Sequence, residues 1–381
     1  MTVKLFTPLT IRGVTLPNRV VIPPMDMYCA EDGHATDFHR THYGKFAFGG
    51  AGLVFVEATA VTRTGRITNG CTGIYYDSHV DSFRPITQQI RDMGFKSCLQ
   101  LAHGGRKAAT QRAWQGNGPL TQENLDAGDE TWTPLGPSAI AFTDGWLEPK
   151  EMTRADMEEV IEAFVVGAHR ALAAGFDMVE IHMAHGYLLQ SFLTPLANQR
   201  TDDYGGSLAN RMRFPLEVAV AVRDALPDEV PLFTRISATD WIDGGWEPED
   251  SVELAKLLKQ VGVDVVDCSS GGNMLHGATN SNLTRGPAYQ AHFAKLLREE
   301  AGIMTQAVGL IRTPELAEQL LQDGQADLIA IGRQALFNPY WAHHAAEKLG
   351  VTDWDTWPPQ YAWWLSKWKR GLGSMDEEPL V

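Results

Sequence analysis

The hydrophobic positions of this chain fall into short, almost unbroken runs rather than a strict alternation. Runs rich in β-branched and aliphatic residues recur as VVIPPM (20–25), LVFVEATAV (53–61), KSCLQLAH (96–103), MVEIHMAH (178–185), PLFTRISA (231–238), VDVVDCSS (263–270), IMTQAVG (303–309) and DLIAIGR (327–333). Continuous apolar runs of this length predict strands that are covered on both faces. Helical patterns occupy the intervals: residues 153–175, with Thr153 as N-cap and Gly175 as stop, and residues 247–262 are two examples. Eight strand–helix pairs in sequence predict an α/β chain folded as a (β/α)8 TIM barrel.

Two segments break the repeat. Residues 104–150, rich in Gly, Pro and Trp, form an insertion after strand 3, where it would sit on the catalytic face as a lid. Residues 351–381 lie beyond the eighth unit and hold Trp354, Trp357, Trp363, Trp364 and Trp368, five of the eleven tryptophans. The expected organisation is a barrel over 1–350 that includes the insertion, followed by a C-terminal extension. Aromatic residues at this density pad a barrel's outside or form a subunit interface.

Composition narrows the partners. The 32 basic and 47 acidic residues leave a formal net charge of −15, which repels nucleic acid and anionic membrane. The four cysteines (Cys29, Cys71, Cys98, Cys268) have no CxxC spacing, against a disulfide framework, a zinc ribbon or an iron–sulfur cluster. The first residues lack the apolar core of a signal peptide, and no apolar run reaches the ~18 residues that span a bilayer. A cytoplasmic protein acting on a small molecule is the expectation.

Active sites of such barrels are built where strands end. No lysine stands at a strand end, so a Schiff-base aldolase lacks its nucleophile. No HxH follows strand 1, so a metal-dependent amidohydrolase lacks its first ligands. The stretch VEIHMAHGYL (179–188) delivers His182, His185 and Tyr187 together, but no third ligand completes a metal site, and no metal is expected. On spacing alone the two histidines are either acid/base groups or satisfied polar residues. Gly309 ends strand 7 and Gly332-Arg333 ends strand 8. That pair suits a phosphate held by backbone N–H groups, or simply close packing.

Five blocks identify a resemblance: LFTPLTIRGVTLPNR, VEATAVTRTGRIT, LQLAHGGRKA, FDMVEIHMAHGYLLQSFLTPLANQRTDDYGGSLANRMRF and ADLIAIGR. In content and order they resemble the Old Yellow Enzyme family of FMN-dependent oxidoreductases, most closely its bacterial single-domain branch that includes the xenobiotic reductases. The resemblance covers nearly the whole chain. It implies FMN across the barrel mouth, NADPH or NADH as reductant, and reduction of activated C=C bonds in enones, nitro-alkenes or other xenobiotics. It implies that Pro24, Met25 and Ala60 line the flavin with backbone groups and that Gln100 holds its pyrimidine edge. Arg235 would stand near N1 and O2, with Gly309, Gly332 and Arg333 on the phosphate. His182 and His185 would donate hydrogen bonds to a substrate oxygen, Tyr187 would protonate the α-carbon, and Tyr28 would touch substrate.

The chain also departs from that branch. Asp26 stands where relatives read PPMC, so a carboxyl replaces a flavin-tuning cysteine and could face flavin or substrate. Ionised, it would lower the flavin potential; neutral, it would donate a hydrogen bond. Trp363 replaces an arginine that some relatives send into the neighbouring subunit, and Trp364 matches the tryptophan used that way by xenobiotic reductases. A homodimer or homotetramer follows from that resemblance. Two alternatives stay open, a flavin-dependent amine dehydrogenase or demethylase and a non-catalytic FMN-binding protein. The polar loop from Asn198 to Arg211 is read as a structural network, and His34, His39 and His42 as surface residues. His103, Arg106 and Lys107 could face substrate or a neighbouring subunit.

Overall fold

The structure is a computed structural model that describes residues 2–274, 285–351 and 356–372. Eight parallel strands close into a barrel. We number them β1 (Val20–Ile22), β2 (Leu53–Ala60), β3 (Lys96–Ala102), β4 (Met178–Met183), β5 (Leu232–Ser237), β6 (Val265–Ser269), β7 (Met304–Ala307) and β8 (Leu328–Ala330). Closure is made by β8 on β1, with Ile329 opposite Val20 and Ala330 opposite Val21. All eight strands lie within the expected runs.

The unbroken apolar runs are explained by two cores. One lies between the strands and the surrounding helices, and includes Val54, Val56, Leu99, Leu101, Phe164 and Phe214. The other fills the lower barrel with Val21, Leu53, Phe55, Cys98, Met178, Phe233, Val265 and Leu328. A hairpin of Leu9–Ile11 and Val14–Leu16 closes the bottom and adds Ile11 and Leu16 to the inner core. Higher in the barrel, buried Gln100, Glu180, Arg235, Asp267 and Gln306 come from successive strands β3 to β7. Polarity in the upper barrel points to a mouth that receives a polar group.

The helix Arg154–Ala173 begins where the pattern predicts, with the Thr153 side chain accepting from the Asp156 N–H. It ends before Gly175, whose φ of +92° suits glycine. The insertion includes the short helix Gln122–Asp126 and a two-stranded pairing of Leu135–Gly136 with Lys150–Glu151. Just before it, the His103 carbonyl accepts from the Leu188 N–H, in the segment after β4, at 3.0 Å.

The C-terminal aromatics divide into two sets. Trp357 stacks on His343 with centroids 4.3 Å apart, and Tyr361 meets Phe48 edge-on at 4.7 Å. Trp363, Trp364 and Trp368, on the helix Pro359–Leu372, are exposed. Trp354 lies outside the described residues. Among the described residues no helix is long and apolar enough to cross a membrane.

One expectation is corrected. His39 and His42 are buried in the helix Asp37–Phe48 rather than at the surface. His39 Nδ1 accepts from the Thr36 N–H at 3.0 Å, and its Nε2 stands 3.0 Å from the buried carboxylate of Glu57. A partner supplied from β2 makes the burial of that ring tolerable. The Asn198–Arg211 loop is a hydrogen-bonded network: Asn198 Nδ2 donates to the Phe192 and Tyr204 carbonyls, and Arg200 to those of Pro137 and Met152.

Candidate active site

The end of β4 makes an abrupt reversal. His185 has φ +61° and Gly186 φ +76°, two left-handed residues in succession. A Cβ on Gly186 would stand 2.2 Å from the Gly272 carbonyl oxygen, so only glycine fits. The strain at His185 is held from both sides of the peptide. Its N–H donates to Ser237 Oγ at 3.0 Å, and its carbonyl accepts from Lys107 Nζ at 2.8 Å. Gln190 Oε1 accepts from the Gly186 N–H, and Gln190 Nε2 donates to the buried carboxylate of Asp240.

The reversal brings the predicted trio together. His182 and His185 meet edge-on, with Nε2 of the first 3.4 Å from Nδ1 of the second. The Tyr187 ring stands edge-on to His182 at 5.1 Å. His182 Nδ1 accepts from the Ala184 N–H at 3.1 Å, which leaves the proton of a neutral ring on Nε2, the atom facing its neighbour. Burial, then the charges of Arg235 and Lys107, hold the His182 pKa well below its usual value. Burial acts the same way on His185, followed by Arg235, His182 and Lys107. Both rings are therefore neutral N–H donors at working pH. Burial, then Asp26, pushes the Tyr187 hydroxyl well above its usual range, so it carries its proton.

A second group forms around the loop after β1. The β2–β3 ladder slips between Val56 and Thr59. At this irregularity the Ala58 N–H donates to Asp26 Oδ1 at 3.0 Å, while Glu57 takes bonds from the Met27 N–H and the Tyr43 hydroxyl. Burial and the neighbouring Glu57 carboxylate push Asp26 up to about 7, against the Ala58 N–H, Arg235 and Tyr28. Neither of the two expected states of Asp26 excludes the other: near neutral pH the carboxyl exists in both.

A cavity of about 500 Å³ runs from His185 along the ends of β5 to β8. Its lining includes His185, Arg235, Gly309, Gly332 and Arg333. Gly309 has φ +122°, a backbone state for glycine alone, and a Cβ there would press Gln290 and Tyr289 at 3.0 Å. Met25 stands beside Gly332, with its sulfur 3.7 Å from where a Cβ would lie. Arg235 pairs with Asp267 at 3.1 Å, and Gln100 donates to Glu180 at 2.7 Å. Of the residues expected on a flavin and its phosphate, Met25, Arg235, Gly309, Gly332 and Arg333 thus gather at one mouth, while Ala60 and Gln100 have other partners. The Ala60 N–H already donates to the Thr72 carbonyl, and the Ala60 carbonyl accepts from the Ile74 N–H. The Gln100 amide is turned into the barrel, toward Glu180. Trp364 lies on the outer surface and does not line this cavity.

Several site residues escaped the sequence reading. Ser269 holds the His185 ring, and Arg312 adds a second guanidinium to the cavity beside Arg333. Among the described residues neither Arg312 nor Arg333 has a carboxylate partner, as a phosphate site requires. Lys107 proves to belong to this chain's own site: Nζ also binds the Gly272 carbonyl at 3.1 Å and lies 5.0 Å from the Tyr187 ring centre. Arg106 is likewise internal, donating to the Asn273 carbonyl. His103 is also buried, its Nδ1 accepting from the Gly105 N–H.

The volume, the free guanidinium groups and the side-chain-free glycines fit a flavin mononucleotide. The model of the NADH:flavin oxidoreductase / NADH oxidase family matches residues 4–351. The chain belongs to that family. This Old Yellow Enzyme relative is 45% identical over 354 residues to the NADPH dehydrogenase of Geobacillus sp. (strain WCH70), covering 92% of this chain and 96% of that one. Against the NADPH dehydrogenase of Bacillus subtilis (strain 168) it is 44% identical over 350 residues, 91% and 96% of the two chains. Among solved structures it resembles morphinone reductase, with a TM-score of 0.73 and 27% identity over 91% of this chain and 90% of that one. The family member is an FMN-dependent oxidoreductase that uses NADPH or NADH.

Proposed function

We propose that this enzyme reduces C=C bonds activated by a carbonyl or nitro group. The observation that carries the reading is the neutral His182–His185 pair beside protonated Tyr187. Bound FMN supplies the hydride that it has taken from NADPH or NADH. His182 and His185 hold the substrate's activating oxygen between two N–H donors. Negative charge grows on that oxygen as the β-carbon is reduced, and fixed donors in a buried site stabilise it. Tyr187 delivers its proton to the α-carbon. Arg235, paired with Asp267, would offset charge on the reduced flavin, and Gly309, Gly332, Arg312 and Arg333 would hold its phosphate.

Residues 1–350 act as one catalytic barrel with its insertion as a lid, and the extension from 351 joins subunits. Exposed Trp363 and Trp364 support a homo-oligomer in which Trp364 reaches a neighbour's pocket. Purified yellow protein reduced anaerobically with NADPH should reoxidise on mixing with 2-cyclohexenone and yield cyclohexanone. Flavin that reoxidises only with oxygen would remove the ene-reductase reading and leave the oxidoreductase.

A further inference from the structure

Tyr187 can give up a proton only once per turnover, and its surroundings disfavour the phenolate that remains. Burial and the Asp26 and Cys71 groups all work against a charge on that oxygen. Something must return the proton. Tyr28 stands on the loop after β1, two residues from Asp26. Its φ of +51° is left-handed, and this bend lets the phenol fold back on its own loop. The Tyr28 hydroxyl donates to Asp26 Oδ2 at 3.4 Å, while the Ala58 N–H anchors Oδ1. Tyr28 and Tyr187 pack against one small apolar cluster, Ala58, Ile67, Cys71 and Ala102, and the Tyr28 side chain eases charge on the Tyr187 oxygen.

We propose that Asp26 resupplies the proton of Tyr187 through the Tyr28 hydroxyl. The inference rests on the ene-reduction reading. The Tyr187 O–H bond breaks as the substrate's α-carbon gains a C–H bond. The Tyr28 proton moves to the Tyr187 oxygen, and the Asp26 carboxyl proton moves to Tyr28. Asp26 is left as carboxylate and regains a proton from water before the next turnover. No electrons are transferred in these steps. The negative charge moves from a buried phenolate to the weakest base of the three, which gives the relay its direction.

The surroundings of Asp26 suit a group that both holds and releases a proton near neutral pH. Glu57 on β2 favours the neutral form, and Arg235 on β5 favours the carboxylate. Tyr28 on the same loop, Tyr187 after β4 and Cys71 after β2 complete the titratable groups facing it. His39 and Tyr43, on the helix Asp37–Phe48, stand behind Glu57 and bind its carboxylate. Asp26 acts through Tyr28 and Tyr187 and is a positioning residue for the proton, so a pH-resolved readout is needed.

The test mixes NADPH-reduced holoenzyme with 2-cyclohexenone by stopped flow from about pH 5.5 to about pH 9, under multiple turnover. Wild-type turnover should fall as Asp26 loses its proton. Asp26→Asn and Tyr28→Phe should each be slower by about tenfold at low pH and lose that pH dependence. Tyr28→Phe separates the relay from any effect of the carboxyl on the flavin, because it keeps Asp26. Infrared difference spectra of the same holoenzyme should contain a protonated-carboxyl band that titrates in wild type and Tyr28→Phe and is missing in Asp26→Asn. Variants that retain the wild-type pH profile, or a wild type without that band, would overturn the relay while leaving the ene-reductase intact. A wild type that reduces no activated alkene removes the reading and the relay together.

Discussion

The Nε2 atom of His185 stands 2.6 Å from the hydroxyl oxygen of Ser269. The contact joins the reversal after β4 to the last residue of β6. It fixes the rotation of a ring whose backbone is already strained, and so sets where the second donor of the pair points.

Ser269→Ala should loosen that ring without opening the barrel. A net hydrogen bond of about 0.5–1.5 kcal/mol corresponds to roughly 2- to 12-fold weaker binding of a phenol, read from the flavin absorbance. Unchanged affinity would mean that His182 and the backbone hold the ring unaided.

His182→Ala and His185→Ala should each reduce kcat/KM for enone reduction by about 10²–10³-fold, the effect of losing one donor to a developing oxyanion. Flavin reoxidation by oxygen should suffer far less. Full alkene reduction by both variants would make the histidines structural.

Arg333→Ala should weaken FMN binding by roughly 10- to 150-fold, as expected for a charge-assisted bond worth about 1.5–3 kcal/mol. Fluorescence titration of apoprotein with FMN measures it. The wild-type protein should purify yellow, with about one FMN per chain.

Asp26 gives a pH signature in stability. Folding raises its pKa from 3.8 to about 7, so the folded state binds this proton more tightly than the unfolded chain. The resulting stability is full below about pH 4 and is lost as pH rises through about 7. In Asp26→Asn that loss is absent. The Tm of the variant minus that of wild type should therefore grow between about pH 5 and about pH 8, measured in matched FMN. A constant difference would place the carboxyl in ordinary solvent.

Trp363→Ala combined with Trp364→Ala should leave a folded barrel, because both side chains are exposed in the single chain. If these rings join subunits, sedimentation velocity should record a smaller species than wild type. Identical sedimentation would place the interface elsewhere.

The barrel was legible from the chain because strands covered on both faces need unbroken apolar runs, and all eight runs became strands. The trio was legible too, since His182, His185 and Tyr187 lie within six residues and need only one reversal to meet. What escaped depends on partners far away in sequence. His39 looks like a surface residue on a helix that is only weakly amphipathic, until Glu57 of β2 arrives 3.0 Å from its ring. Lys107 could have faced a neighbour, until the fold brought the His185 and Gly272 carbonyls to its ammonium. Ser269 ended a strand with no sign of which side chain it would hold. The sequence by itself determined the strands, the glycines and the identity of Asp26. Only the tertiary structure decided the charge that Asp26 carries, because that charge depends on burial and on a carboxylate, an N–H and a guanidinium brought in by β2 and β5.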